Sequence, residues 1–375
     1  MLVPHYLQGI YALANRSKNA LPKKEGYRVG IVAALMTVAF WLAAVRYHQI
    51  TSSNNSVPQR QLSPIATFSV ATEYRKNSDV IFENYLDSVL AKLKMEYVSS
   101  YDPEVWPTKI FQTARTVNDK YKDAVASWSA YNPQYEHMLL GDKAATEFVE
   151  RAFAASPEIV EVYKSFPNAA LKADLLRYLL LYLYGGVYAD VDLYCRKPIS
   201  EWIPHDLAKS DADVIIGIEL DEPYVTLETQ RQWHWHRPYS FAQFTIVAKP
   251  FAKPIRTAIV RVVAHAHHLA RLKNKSSPSK ISKYTPEEVF EVSGPGMWTD
   301  VLIDSMNYRR KDVSWAQMNN LKKPIRVPTE NGAIIVLPVQ YFGNGQRHSN
   351  AGDYNQPEAC VSHLFTKSWQ RFSWF

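Results

Sequence analysis

Asp190-Val191-Asp192 sets two carboxylates two residues apart, directly after the apolar run Gly186-Val187-Tyr188-Ala189. In an extended segment such residues project to the same side, so Asp190 and Asp192 would offer their oxygens to one point. Paired hard oxygens suit Mn²⁺ or Mg²⁺ and leave coordination positions for a diphosphate, whose charge the cation cancels as a nucleotide departs. Asp-x-Asp by itself arises often by chance and in calcium loops. Its position at the end of a buried strand, where open α/β sheets bind ligands, is what makes it informative. Asp174 and Arg177 lie three residues apart on one face of a helix whose other positions are mostly Leu and Tyr. Charges in so apolar a helix require compensation. Either they form a buried salt bridge, or Asp174 takes sugar hydroxyls while Arg177 orients it and approaches the diphosphate.

These residues need a scaffold, and the flanking sequence supplies one. Asn168 is placed to cap a helix over Ala169 to Tyr184, which Gly185-Gly186 would terminate. Lys109 to Gln112, Glu136 to Leu140, Val187 to Ala189, Val214 to Ile218 and Ile334 to Leu337 read as strands. Ala144 to Phe153, Ile159 to Phe166 and Lys253 to Leu272 read as helices. The alternation predicts an α/β domain. Gly294-Pro295-Gly296 permits close backbone approach and is expected to form a loop under a sugar. His234 and His236 alternate with Trp233 and Trp235, but no Cys or carboxylate stands at metal-ligand spacing. The run Gln232 to Arg237 therefore reads as a surface loop for an acceptor.

The chain has 375 residues, 47% hydrophobic and 21% charged, enough for a core that needs no staple. Of its net charge of +7, residues 1–28 carry +4, through Arg16, Lys18, Lys23, Lys24 and Arg28 against Glu25. The basicity is thus largely a tail property, which argues against a nucleic-acid partner. Val29 to Val45 is free of charge and closed by Arg46. Helical, it would span roughly 25 Å, the short end of what crosses a bilayer. A single-pass anchor is expected, with residues 1–28 cytosolic and the rest lumenal, rather than a cleaved signal peptide. Thr51 to Pro64 is a polar, Pro-punctuated stem, and residues 46–105 form stem and helical linker before a catalytic domain over 106–375. Ile81, Phe82, Tyr85, Leu86, Val89, Leu90 and Leu93 recur at helical spacing, for docking on that domain or pairing with another chain. Asn54-Asn55-Ser56 and Asn274-Lys275-Ser276 are sequons that a lumenal location would expose to glycosylation.

Residues 106–375 resemble the DxD-containing glycosyltransferase family 32, and within it most closely the fungal Golgi initiation-specific α-1,6-mannosyltransferases. The likeness rests on KADLLRYLLLYLYGGVYADVDLYCRKPISEW from Lys172 to Trp202, with Ile215 to Glu219, Gln243 to Pro250, Ser293 to Asp300 and His363 to Trp369 following in order. It implies a GT-A-type, Rossmann-like nucleotide-sugar domain, Mn²⁺ or Mg²⁺, GDP-mannose as donor, retention of the α configuration and a Golgi membrane location. Partners would be an N-glycan or mannoprotein acceptor and other glycosyltransferases in a complex. Carried onto this sequence, Asp190 and Asp192 would bind metal and nucleotide sugar, Asp174 and Arg177 would meet the donor sugar, and His363 would be a further metal or diphosphate contact. Gln112 would lie in the strand that cups the nucleotide base. Ala114 stands where relatives often carry Trp, and Thr366 where they often carry Gly. Glu219, Gln243 and Asp300 are either acceptor-side contacts or scaffold. If the Asp190 and His363 segments converge, Cys195 and Cys360 come near each other, as a disulfide or as free buried thiols. Two other functions fit such a chain: mannosyl transfer to inositol-phosphoceramide, disfavoured because no apolar span follows Ala351, and a non-catalytic place in a mannan-polymerase complex, which would not require the intact carboxylates.

Overall fold

The computed structural model describes residues 77–97, 102, 105–208, 211–306 and 318–366; the expected anchor at 29–45 and the stem lie outside these. Helix α1, Val80–Tyr97, is the element expected either to dock or to pair with another chain. It docks, burying Leu86, Leu90 and Leu93 in the main core. The Leu90 carbonyl accepts a hydrogen bond from the Tyr182 hydroxyl at 2.6 Å. Asp87 is paired with Lys253 at 2.8 Å and Arg256 at 2.9 Å. Ile81, counted on the apolar face in the sequence, is exposed.

The body begins in strand–helix alternation and then runs three helices together: β1 Lys109–Thr113, α2 Lys122–Tyr131, β2 Glu136–Leu140, α3 Asp142–Ala152, α4 Pro157–Ser165, α5 Ala169–Tyr184 and β3 Gly186–Ala189. Then come β4 Leu193–Cys195, β5 Ala212–Asp221, β6 Tyr239–Phe241, β7 Thr245–Ala248, α6 Lys253–Leu272, α7 Pro286–Val292, α8 Pro295–Ser305, β8 Ile325–Thr329, β9 Gly332–Leu337 and β10 Val361–His363. The main sheet runs β2-β1-β3-β7-β5-β9-β8, with β6 paired to β5. Pairing is parallel for β1 with β2 and β3 and for β5 with β9, whereas β7 is antiparallel to both β3 and β5. Strands β3 and β5 therefore point the same way, and their carboxyl ends share one edge of the sheet. A separate ribbon pairs β4 with β10.

Helix α5 shows how the sequence builds this body. Eleven of its sixteen residues are buried, including Leu175, Leu179 and Leu183, so it is a core helix rather than an amphipathic one. Asn168 caps it by accepting from the Ala170 amide at 2.7 Å. Gly185, at φ 60°, ends it, and Gly186, at φ 89°, turns the chain directly into β3. A Cβ on Gly186 would collide with the Lys109 carbonyl of the neighbouring strand. Gly186→Ala combines that clash with a left-handed backbone. It is expected to remove about 2–4 kcal/mol of stability, read as a lowered midpoint in a thermal melt; an unchanged midpoint would contradict the close approach of β1 and β3.

Candidate active site

Beyond β3 the chain leaves the sheet, and Asp190-Val191-Asp192 forms a turn into β4. The two carboxylates were expected to align through strand alternation. They converge instead because the backbone bends between them. The turn is anchored on both sides: the Asp190 amide donates to Phe244 O at 2.9 Å, and the Leu364 amide donates to Asp192 O at 3.0 Å. The second bond belongs to the β4–β10 ribbon, which also pairs His363 with Leu193. Asp190, Asp192 and His363 thereby bring one donor atom each within 4.8 Å of one another.

Each of the three is held by its own partners. Asp190 Oδ1 accepts from the Tyr188 hydroxyl at 3.0 Å and lies 3.5 Å from Arg177, while nearly a third of its side chain, 31%, stays accessible. Burial raises its pKa, and the Arg177 charge opposes that rise only in part. Asp192 Oδ2 accepts from the Thr366 hydroxyl at 2.8 Å, and Thr366 is in turn held by Tyr121 at 2.9 Å. Burial works against the charge of Asp192 too, but hydrogen bonds from His363 and Thr366 outweigh it, and its pKa falls below the ordinary value. His363 Nε2 lies 3.3 Å from Asp192 Oδ1. Its ring is fixed between Phe244, stacked at 4.5 Å and 6°, and the edge of Phe365 at 4.3 Å. Among the described residues its Nδ1 has no hydrogen-bond partner. Two carboxylates, one of them accessible, and an imidazole fit Mn²⁺ or Mg²⁺, with Mn²⁺ the better match for a nitrogen donor.

Behind the turn lies a buried ionic chain. Arg177 NH2 pairs with Asp174 Oδ1 at 2.7 Å, and NH1 donates to Gln243 O at 2.6 Å. Its guanidinium sits 4.7 Å from the Tyr188 ring centre. Asp174 Oδ2 accepts from Ser293 at 2.8 Å. Burial raises the Asp174 carboxyl to about 6 against the pull of Arg177 and Ser293. Burial opposes the Arg177 charge as well, and Asp190 with Asp174 more than compensates, so the guanidinium stays protonated. The salt bridge is therefore real, and it also reaches Asp190.

Other expected site residues have different places. Gln112 is fully buried and its amide is committed: Nε2 donates to Asp190 O at 3.1 Å and Oε1 meets His137 at 2.9 Å. It positions the turn from behind instead of facing a ligand. Gly294 and Pro295 form no loop; Gly294 is the N-cap and Pro295 the first residue of α8. The glycine is required because a Cβ there would lie 2.8 Å from the Phe290 backbone. Pro295 does line a cleft, shared with Glu219 and Trp235. Gln243 and Asp300 are scaffold: Gln243 Nε2 donates to Tyr178 at 2.7 Å and Ser293 O at 2.6 Å, and Asp300 pairs with Arg237 at 3.1 Å. Cys195 and Cys360 are buried free thiols. Their segments do converge, but the register sets Cys195 opposite Val361, so the sulfurs are offset by one position of the ladder. The contributions of Tyr188, Thr366, Phe244 and Ser293 were not foreseen. Of these Tyr188 carried a sequence signal, two residues before Asp190 in the strand that leads to the turn, and Thr366 stood out only as a departure from a frequent Gly.

A family profile described as the glycosyltransferase sugar-binding region containing a DXD motif matches residues 118–209. The initiation-specific α-1,6-mannosyltransferase of Schizosaccharomyces pombe is 31% identical over 287 residues, 75% of this chain and 68% of that protein. The chain belongs to the DXD-containing glycosyltransferase family 32. It is a glycosyltransferase. The corresponding Candida albicans protein is 26% identical over 310 residues, covering 76% of this chain and 77% of the relative. Inositol phosphoceramide mannosyltransferase 3 of S. pombe is 27% identical over 146 residues, 36% of this chain and 40% of the relative. Within this family 32 chain, Thr366 does more than replace a frequent Gly: its hydroxyl gives Asp192 a partner.

Proposed function

We propose that this chain transfers α-mannose from GDP-mannose, with retention and with the help of Mn²⁺ or Mg²⁺, to a mannose-bearing N-glycan or mannoprotein, forming an α-1,6 linkage. The observation that carries it is the convergence of Asp190, Asp192 and His363 at the carboxyl edge of the sheet. The α-1,6 choice draws on relatives so named, which match 75% and 76% of the chain, whereas lipid-directed relatives match between 26% and 43% of it. The mixed sheet, with β7 reversed between β3 and β5, is consistent with a GT-A-type domain. In the cell it would act from the Golgi membrane through residues 29–45, with residues 106–375 as the lumenal catalytic domain.

Asp190, Asp192 and His363 would hold the cation, which when bound supplies the positive charge that stabilises the departing diphosphate. The accessible edge of Asp190 leaves that side open to the nucleotide sugar. Arg177 and Tyr188 fix the Asp190 carboxylate so that no reorganisation is required as charge develops. Asp174, buried with its two oxygens taken by Arg177 and Ser293, would act by holding Arg177 in place instead of meeting the donor sugar.

The test is titration calorimetry and turnover with the purified chain. GDP-mannose hydrolysis or transfer is expected with Mn²⁺, to be lost in EDTA and to return when Mn²⁺ is added back. UDP-glucose should bind at least about tenfold more weakly, a gap of about 1.4 kcal/mol. Metal-independent turnover, or a preference for the uridine sugar, would overturn the assignment.

A further inference from the structure

Glu219 is an acidic side chain, under the electrostatic influence of His363, that the scheme above leaves without a task. It sits two residues before the end of β5, on the sheet edge that also carries Asp190. Between Ile218 and Leu220 the pairing of β5 with β6 slips register, which places Glu219 at a bulge. Bulges re-aim a side chain and are common beside active sites. Among the described residues the carboxylate makes no hydrogen bond and no ion pair; only the backbone carbonyl is engaged, by Gln346 at 3.0 Å. It lines a cleft of about 110 Å³ together with Trp235, Ser240, Pro295, Gly296 and His348. On the cleft wall Trp235 meets His348 edge to face at 4.9 Å, and behind it Trp233 stacks on Trp235 at 5.3 Å and meets His348 at 5.7 Å. Trp233 is 49% exposed. Burial lifts the Glu219 carboxyl to about 7 and His363 pulls it down, which sets Glu219 within electrostatic reach of the carboxylate turn.

An unpartnered carboxylate beside a partly exposed indole pair is the chemistry of a sugar subsite: rings take the apolar face of a hexose, and a carboxylate takes a hydroxyl. We infer that this cleft is the acceptor subsite, in which Trp235 stacks on a terminal mannose and Glu219 receives the proton of the attacking hydroxyl. The inference rests on the transferase activity proposed above. Retention places the incoming hydroxyl and the departing diphosphate on the same face of the donor sugar, and Glu219 shares the sheet edge of Asp190. The acceptor oxygen forms its bond to the anomeric carbon. The bond from that carbon to the diphosphate breaks with its electron pair going to the nucleotide, and the hydroxyl proton passes to Glu219 and then to solvent.

Kinetics with GDP-mannose and a high-mannose N-glycan, alongside calorimetry with GDP and Mn²⁺, provide the test. Glu219→Gln is expected to lower kcat about 100-fold or more, with GDP affinity within about twofold of wild type and partial recovery in Glu219→Asp. Trp235→Ala is expected to raise the acceptor KM about tenfold, and Trp235→Phe to keep most of the affinity. Undiminished turnover by Glu219→Gln in an active enzyme overturns the acceptor assignment alone. Parallel loss of GDP binding in that variant overturns it too, by showing a structural role. A wild-type chain inert towards GDP-mannose overturns the donor assignment first and this one with it.

Discussion

Asp192→Ala is expected to lower metal-dependent transfer by about 10³-fold or more, roughly 4 kcal/mol of transition-state stabilisation. Asp192 is the residue through which both halves of the site meet: its carbonyl holds Leu364, and its two carboxylate oxygens face His363 and Thr366. Removing the side chain takes away one of three donors and also the group that orients His363. The backbone bond to Leu364 and the β4–β10 ribbon remain, so the thermal midpoint should change little. Asp192→Asn sharpens the comparison. It keeps an oxygen for the Thr366 hydroxyl but loses the negative charge, so activity should fall nearly as far while the fold is untouched. Retention of more than about a tenth of wild-type turnover by either variant, a loss below about 1.4 kcal/mol, would show that the carboxylate pair does not carry the chemistry.

The parts of this site that the sequence disclosed are those governed by local rules. The limits of α5 follow from an N-cap asparagine and a left-handed glycine, both readable within a few residues of the helix ends. Lys253 to Leu272 is likewise the observed helix. The docking of α1 was open because an apolar stripe has the same spacing whatever it packs on. Contacts decided by distant pairing were less accessible. That Asp190 and Asp192 meet across a turn depends on Phe244 and Leu364, 54 and 172 positions away from the residues they hold. The family resemblance implies a ligand contact at Gln112, through the strand that cups the nucleotide base; its amide is already committed to Asp190 and His137. Gly294-Pro295-Gly296 reads as a loop because glycine permits close backbone approach, yet the close approach is to Phe290 and proline at the first position of a helix is equally favourable. The bulge at Glu219 leaves no mark in the residue types around it.

Arg177→Met is expected to destabilise the protein by about 3–5 kcal/mol and to abolish transfer, because it strands two carboxylates that the guanidinium now serves. Arg177 is 4% exposed and Asp174 6%, so neither can turn to water when its partner is removed. Methionine preserves much of the bulk over Tyr188, which isolates charge and hydrogen bonding from packing. The pH dependence separates the causes. Even with Arg177 present, burial raises Asp174 to about 6, and without the guanidinium it must rise further. An acid whose folded pKa exceeds its unfolded value makes the native state bind the extra proton, so stability falls as pH increases between the two values. The deficit of Arg177→Met relative to wild type should therefore be larger at pH 8 than at pH 5; an equal deficit would assign the loss to packing. Arg177→Met with Asp174→Asn should recover part of the stability by removing one stranded charge, but no activity, since Asp190 still lacks the guanidinium and keeps only the Tyr188 hydroxyl. Arg177→Lys completes the series. A point charge can meet one carboxylate, but it cannot span Asp174, the Gln243 carbonyl and Asp190 at once, as the forked guanidinium does. Near-native stability with activity reduced at least about tenfold, some 1.4 kcal/mol, would show that Arg177 serves catalysis through the orientation of Asp190 and Asp174, beyond its part in the core.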